Sequence, residues 1–327
     1  MKILITGGAG FIGFHLAKHL TDDGNIVVVC DNLFRGQVDN DFASLLRRPN
    51  IRFVNVDLSI KENLNELDSD FDLVYHLAAI NGTRYFYEVP HKVLRNNILS
   101  LVNMLDWLMN SSQKMVWTSS SEVYAGTVAM GMASVPTTEG VAVAIDDISN
   151  PRFSYAASKI AGESLCLSYA RAYGLRIAIV RPHNMYGPRM GYDHVIPQFI
   201  SRILERQNPF KLYGGDQSRA FCFIDDFVIG LRLIGESPLT DGQIINLGND
   251  QEEVSIIDLA SRLFDLSGFH PRVENLPAAE GSIHRRCPDI TKARELVGFC
   301  PETSLDDGLQ KTYNWYLEHY LPKGRQQ

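Results

Sequence analysis

The chain has 327 residues, of which 45% are hydrophobic and 21% charged. That is the balance of a globular protein with room for one large α/β domain or for a main domain and a smaller one. The net charge of −7, with lysines and arginines scattered, argues against nucleic acid as a main partner. No apolar stretch approaches the roughly 20 residues that span a bilayer, so no membrane partner is expected.

Ile3-Leu4-Ile5 predicts a buried strand beginning at residue 2, with no signal peptide expected ahead of it. The turn Thr6-Gly7-Gly8-Ala9-Gly10-Phe11-Ile12-Gly13 comes next, and then a helix through Ile12, Leu16 and Leu20. Strand, glycine turn and helix start in that order form a dinucleotide-binding fingerprint. Gly7 permits the tight turn, Gly10 the approach of backbone to pyrophosphate, and Gly13 the packing of helix on strand. Phe11 and Ile12, opening the helix, fall beside the same phosphates.

Further strands are expected at Asn25–Cys30, Ile51–Val56, Phe71–Leu77, Lys114–Thr118 and Leu175–Val180. Helices are expected at Leu94–Met109 and Ser154–Tyr173, and Val128–Ile148 reads as a mobile loop beside the site. This alternation implies an α/β fold, a Rossmann-type doubly wound parallel sheet, over residues 1–180. Past Arg181-Pro182 the loops lengthen, and helices such as Ser255–Leu266 and Leu305–Tyr320 stand alone. Residues 181–327 are therefore expected to form a smaller α/β substrate lobe partly interwoven with the first unit. Cys30, Cys166, Cys222, Cys287 and Cys300 are odd in number and widely spaced. Neither a disulfide framework nor a metal site is expected, and the chain reads as cytoplasmic.

Asp31 follows the second strand, where an acidic side chain accepts hydrogen bonds from the adenosine ribose and repels a 2′-phosphate. NAD is favoured over NADP on that ground, with Arg35 nearby as the opposing feature. Asp57-Leu58, after the third strand, either meets the adenine edge or caps a helix. Tyr155 and Lys159 stand at i and i+4 of one helix and share a face. A nearby ammonium and the nicotinamide charge stabilise phenolate, which could take a hydroxyl proton while hydride leaves for the cofactor.

With these residues in place the chain resembles the extended short-chain dehydrogenase/reductase family, in its NAD-dependent nucleotide-sugar epimerase/dehydratase branch. The likeness rests on Thr6–Gly13, Asp31-Asn32, His76-Leu77-Ala78-Ala79, Asn97, Thr118–Tyr124, Tyr155 with Lys159, Arg181–Pro188, Arg219–Asp226 and Arg285–Asp289. It implies that Asn32, Leu77, Ala78, Ala79 and Asn97 line the cofactor. It makes Ser120 the hydroxyl that bonds the sugar oxygen being oxidised. It also assigns Arg84, Asn184, Val195, Arg219, Arg285 and Arg286 to the pocket of a nucleotide-diphosphate sugar, and implies a homodimer built on the helices Leu94–Met109 and Ser154–Tyr173.

The shared step that the resemblance implies is oxidation at carbon 4 of the sugar, giving a 4-keto intermediate. Glu122, two residues beyond Ser120, is expected to serve as an auxiliary acid/base for a proton at carbon 5. One dehydratase group carries Asp-Glu here, whereas this chain has Ser121-Glu122. The Ser-Glu pair is similar to GDP-mannose dehydratases, whose common use of NADP Asp31 disfavours, and to UDP-glucuronate decarboxylases. Pro151-Arg152-Phe153-Ser154-Tyr155 is similar to the decarboxylases, with Arg152 or Arg285 placed to meet a sugar carboxylate. Asn81-Gly82-Thr83-Arg84-Tyr85 is closer to certain epimerases. The reading is an NAD-dependent nucleotide-sugar epimerase/dehydratase. A UDP-uronic acid decarboxylase of the same family is one alternative, and a non-catalytic NAD-sensing or scaffold protein is another.

Overall fold

The protein is described by a computed structural model over residues 1–278 and 283–319. Its centre is a sheet of seven parallel strands. Six are β1 (Lys2–Thr6), β2 (Ile26–Asp31), β3 (Ile51–Asn55), β4 (Leu73–His76), β5 (Lys114–Thr118) and β6 (Arg176–Pro182). The seventh, Ile244–Leu247, lies beside β6, and the spatial order runs from it through β6, β5, β4, β1 and β2 to β3. The order in which the chain lays down strands reverses between β1 and β4, so a crevice opens beyond their carboxyl ends.

The strands read as apolar runs because both faces of the sheet are covered. Ile3 and Ile5 enter one core with Val27 and Val29, while Leu4 and Val28 point into the opposite core with Val74. Edge strand β3 is less buried and exposes Arg52 and Asn55. The first core also takes in Ile245, Leu247, Phe227 and Tyr316, so the C-terminal half packs on the face that Ile3 and Ile5 supply.

The helix Ser154–Tyr173 has the expected bounds, closed by Gly174 in the left-handed region at φ 70°. The helix expected from Leu94 begins at Pro90, which occupies its first turn, and ends at Leu108. Most expected strands shift by a residue or two. Asn25 leaves β2 to bond the carbonyl of Leu20, and β4 loses Phe71, Asp72 and Leu77. The last two expected helices run over Ile256–Ser267 and Leu305–His319; Tyr320 lies outside the described residues.

Past the helix Ala125–Ala129, the segment expected as a loop is irregular and is anchored at its middle. Thr137 is 4% exposed and exchanges backbone hydrogen bonds with Cys287 and Asp289. Glu139 accepts from the Asn246 amide at 2.8 Å, and Thr127 bonds the Ala142 carbonyl at 2.7 Å. Irregular backbone is held here by partners far away in sequence. Among the described residues no helix is long and apolar enough to cross a membrane.

Candidate active site

The glycine turn sits where β1 ends. Gly7 has φ +70°, and a Cβ there would lie 2.9 Å from the Ala78 amide nitrogen. At Gly13 a Cβ would lie 2.3 Å from the Gly7 carbonyl oxygen, so only glycine lets helix and turn meet this closely. Gly10 is the N-cap of the helix Phe11–Asp22, with no side chain capping that first turn. The free end faces the crevice as a dinucleotide's phosphates require, and the residues fit such a group. Leu77, Ala78 and Ala79 form the opposite lip, the amides of Leu77 and Ala78 both donating to the Thr6 hydroxyl.

Asp31 closes β2. Its carboxylate accepts from the amides of Ala9 and Leu33 at 3.1 and 2.8 Å. Burial raises its pKa, opposed by those two amides and by Arg189 and Arg35. Asn32 donates to Asp57, whose other oxygen accepts from Ser59 in a local turn. The Leu58 side chain points into the core instead, and its carbonyl is taken by Asn103. Asn97 spends its amide on both backbone groups of Ile80 and on the Ser158 hydroxyl. It thereby ties the loop after β4 to the helix that carries Tyr155.

Tyr155 is 6% exposed and stacks on Phe86, with ring centroids 5.3 Å apart. Its phenol lies beside Ser120, whose hydroxyl favours the ionised form. Ser120 ends β5 in extended conformation, and its hydroxyl also accepts from the Glu122 amide at 3.1 Å. Lys159 is buried on the same helix and donates to the Thr118 carbonyl at 2.7 Å, its ammonium 5.5 Å from the centre of the Tyr155 ring. Burial lowers its pKa to about 7. Burial also pushes the Tyr155 phenol above its ordinary range, with the Ser120 hydroxyl and the Arg35 charge opposing. The sequence led us to expect a phenol made acidic by Lys159 together with the positive charge of a bound nicotinamide. In this arrangement desolvation dominates, and the ammonium is bonded to a carbonyl.

Glu122 opens the short turn after Ser120 and receives Arg286 at 2.8 Å. Burial raises its pKa, but Arg286, Arg152 and Arg219 outweigh that and hold it below the ordinary value. The carboxylate is therefore ionised at neutral pH, inside a basin of three guanidinium groups. Arg286 Nε is buried with no hydrogen-bond partner among the described residues. Arg219 donates to the carbonyls of Ser218, Ile283 and His284, and burial with the neighbouring Arg286 charge lowers its pKa to about 10.

Not every expected residue joins this group. Arg285 faces away from Arg286, as strand neighbours do, and forms a two-toothed pair with Glu253. Arg84 is exposed on the helix Thr83–Glu88, beside Tyr85 and Glu88. Asn184, at φ 40°, donates to the Ala220 carbonyl, and Val195 begins the helix Val195–Leu204. Beneath the cluster lies a network that sequence reasoning missed. Glu163 accepts from Ser119 and forms a buried pair with Arg181, which in turn donates to the Tyr124 hydroxyl at 2.6 Å. Tyr124 continues the chain to Asn246 at 2.9 Å. The signal available was Glu163 itself, one helical turn beyond Lys159 on the same face.

A glycine-turn crevice beside Ser120, Tyr155 and Lys159 on a doubly wound sheet is the arrangement of a candidate oxidoreductase-type active site. The profile of the NAD dependent epimerase/dehydratase family matches residues 3–248, and the chain belongs to that family. It is an NAD-dependent enzyme. A UDP-N-acetyl-alpha-D-glucosaminuronate decarboxylase from Bacillus cytotoxicus is 32% identical over 97% of this chain and 98% of its own. UDP-glucuronic acid decarboxylase 1 of Xenopus tropicalis is 34% identical over 98% of this chain and 75% of its own. Among solved structures, a UDP-glucuronic acid 4-epimerase from Bacillus cereus, in complex with UDP-glucuronic acid and NAD, is similar at a TM-score of 0.86. It is 31% identical, with 98% of this chain and 100% of that one covered.

Proposed function

We propose that the enzyme oxidises carbon 4 of a UDP-hexuronic acid and then releases the sugar's carboxyl group as carbon dioxide. The observation that carries this reading is the ionised Glu122 inside the basin of Arg286, Arg152 and Arg219, next to Ser120 and Tyr155. Guanidinium forks suit both a diphosphate and a carboxylate, and Arg286 Nε is a buried donor still to be matched. The likeness to two decarboxylases of UDP-uronic acids supports the same substrate class.

Bound NAD would supply a hydride acceptor for carbon 4 and a donor for its return, and its positive ring would lower the pKa of the Tyr155 phenol. Tyr155 takes the proton of the 4-hydroxyl, with Ser120 bonding the same oxygen. The 4-keto uronate is a β-keto acid. Its bond from carbon 5 to the carboxyl carbon breaks, leaving the electron pair on carbon 5 and delocalised into the ketone. Carbon 5 then needs a proton from solvent, and Glu122, ionised at rest, relays it from water to that carbon. Asn184, Val195 and Arg219 hold the nucleotide diphosphate end in this reading, while Asn97 acts by fixing the loop after β4.

Epimerisation at carbon 4 of the same sugar is the second reading, favoured by the match to the UDP-glucuronic acid 4-epimerase. Incubation with UDP-glucuronic acid and subsequent mass spectrometry separate the two. Loss of carbon dioxide supports the first, unchanged mass with inverted carbon 4 supports the second, and an untouched panel of nucleotide sugars sinks both. We also infer a homodimer, supported by the exposed Leu94, Leu167 and Tyr173 on the two long helices. A monomeric mass by light scattering would overturn it. A reducing, cytoplasmic setting suits five free cysteines.

A further inference from the structure

Arg189 lies just beyond the Arg181–Pro188 segment, yet its side chain reaches back to the glycine turn. Its Nη1 donates to the carbonyls of Ala9 and Gly10 at 3.1 and 3.3 Å. Nη2 donates to the Gln37 carbonyl at 2.9 Å, and Nε to the Asp39 carboxylate at 2.7 Å. The guanidinium rests 4.5 Å from the centre of the Phe14 ring, and the side chain is 6% exposed. The backbone here is left-handed at φ 66°, a conformation that non-glycine residues adopt only where the surroundings impose it. His15 fixes the approach, one ring nitrogen lying 2.9 Å from the Pro188 carbonyl.

These bonds join three parts of the chain: the turn after β1, the loop after β2, and the segment leading into the C-terminal half. The loop starts at Asp31, bonded to the Ala9 amide, and ends at Asp39. Asp39 uses one oxygen to cap the helix Asn40–Leu45 and the other to receive Arg189. Midway, Gly36 packs so tightly that a Cβ would lie 2.7 Å from Ala9 Cβ and 3.0 Å from Asp31 Oδ2. Near the tip, Phe34 and Arg35 rest on Tyr85, at 5.6 and 5.7 Å. The loop therefore arches from the glycine turn to the helix Thr83–Glu88, along the side of the crevice that Asp31 closes.

We propose that Arg189 is a retention latch for the dinucleotide. By fastening the far end of the arch to the phosphate turn, it holds the adenosine side shut, and NAD leaves only when these bonds break. Arg189 is a positioning residue in this role, acting through the loop and the turn. The inference rests on the reading that the glycine turn and Asp31 hold NAD.

The test measures NAD content of the purified protein and the NAD dissociation rate, for wild type, Arg189→Met, Arg189→Lys and Asp39→Asn. Asp39→Asn keeps a helix-capping oxygen while removing the charge that Arg189 meets. Loss of charge-assisted bonds to the loop is expected to speed NAD release by about tenfold or more in Arg189→Met, with less effect in Arg189→Lys. Asp39→Asn should release NAD faster than wild type, and it decides the matter alone if Arg189→Met does not fold. Folded variants that keep wild-type NAD content and release rate overturn the latch while leaving the cofactor reading intact. A wild-type protein that binds no NAD overturns the cofactor reading and the latch with it.

Discussion

Glu122 and Arg286 stand 164 positions apart in the chain and meet at 2.8 Å. One comes from the turn after β5, the other from the short strand Arg285–Arg286 in the C-terminal half. Their contact joins the end of the central sheet to the basin that would take the substrate's negative charge. Glu122→Gln is expected to leave oxidation at carbon 4 intact and to stall the later steps, cutting overall turnover about 10²–10⁴-fold. A rapid rise in reduced-cofactor absorbance without carbon dioxide release is the expected readout. Unchanged product yield would remove Glu122 from the mechanism.

Arg286→Met tests the same contact through pH. Arg286 is one of the cations that hold the Glu122 pKa down, so its loss moves that pKa upward. Glu122 then becomes protonated at a higher pH as acid is added. The acid limb of the kcat/KM profile should shift toward neutrality, and Arg286→Lys should shift it less. An acid limb that stays in place in both variants contradicts the pairing.

Tyr155→Phe keeps the ring that stacks on Phe86 and deletes only the hydroxyl beside Ser120. Sugar oxidation should fall about 10²–10⁴-fold, while NAD affinity by calorimetry stays near wild type. Equal losses in both would point to a structural role.

Asp31→Ala removes the carboxylate at the end of β2 and the acceptor of two backbone amides. NAD affinity should fall about tenfold to a hundredfold, as for a lost hydrogen bond to a charged group. NADP should lose less, so the ratio of the two affinities moves toward NADP. An unaltered ratio would count against a ribose contact.

Glu163→Gln unpairs Arg181 in a place where both side chains are almost fully buried. An uncompensated charge of this kind costs about 3–5 kcal/mol. Urea denaturation should register that loss, and Glu163→Ala should be at least as severe. A change under about 1 kcal/mol would show that the remaining bond to Tyr124 satisfies the arginine.

Local spacing made much of this protein readable. Ile3-Leu4-Ile5 with Gly7, Gly10 and Gly13 announces the crevice because strand, turn and helix start are contiguous. The helix Ser154–Tyr173 is legible at both ends, since Gly174 stops it. The start of the helix at Pro90 was missed because apolar periodicity begins only at Leu94, although a proline at the first turn is itself a start signal. The features that stayed hidden depend on distant pairing. Arg285 and Arg286 look equivalent in sequence, and only strand alternation sends one to Glu253 and the other to Glu122. Thr137 and Glu139 seemed unpatterned because their partners lie at Asn246, Cys287 and Asp289. The Glu163–Arg181 pair left no local trace beyond one helical turn from Lys159.

The strand Ile244–Leu247 sits at the end of the central sheet, bonded to β6. A fragment cut after Pro182 would leave β6 with a bare row of amides and carbonyls, the template on which foreign strands add. Swapping C-terminal halves between relatives to exchange sugar preference must therefore carry this strand's register against β6 intact, or the hybrid inherits a sticky rim in place of a new specificity.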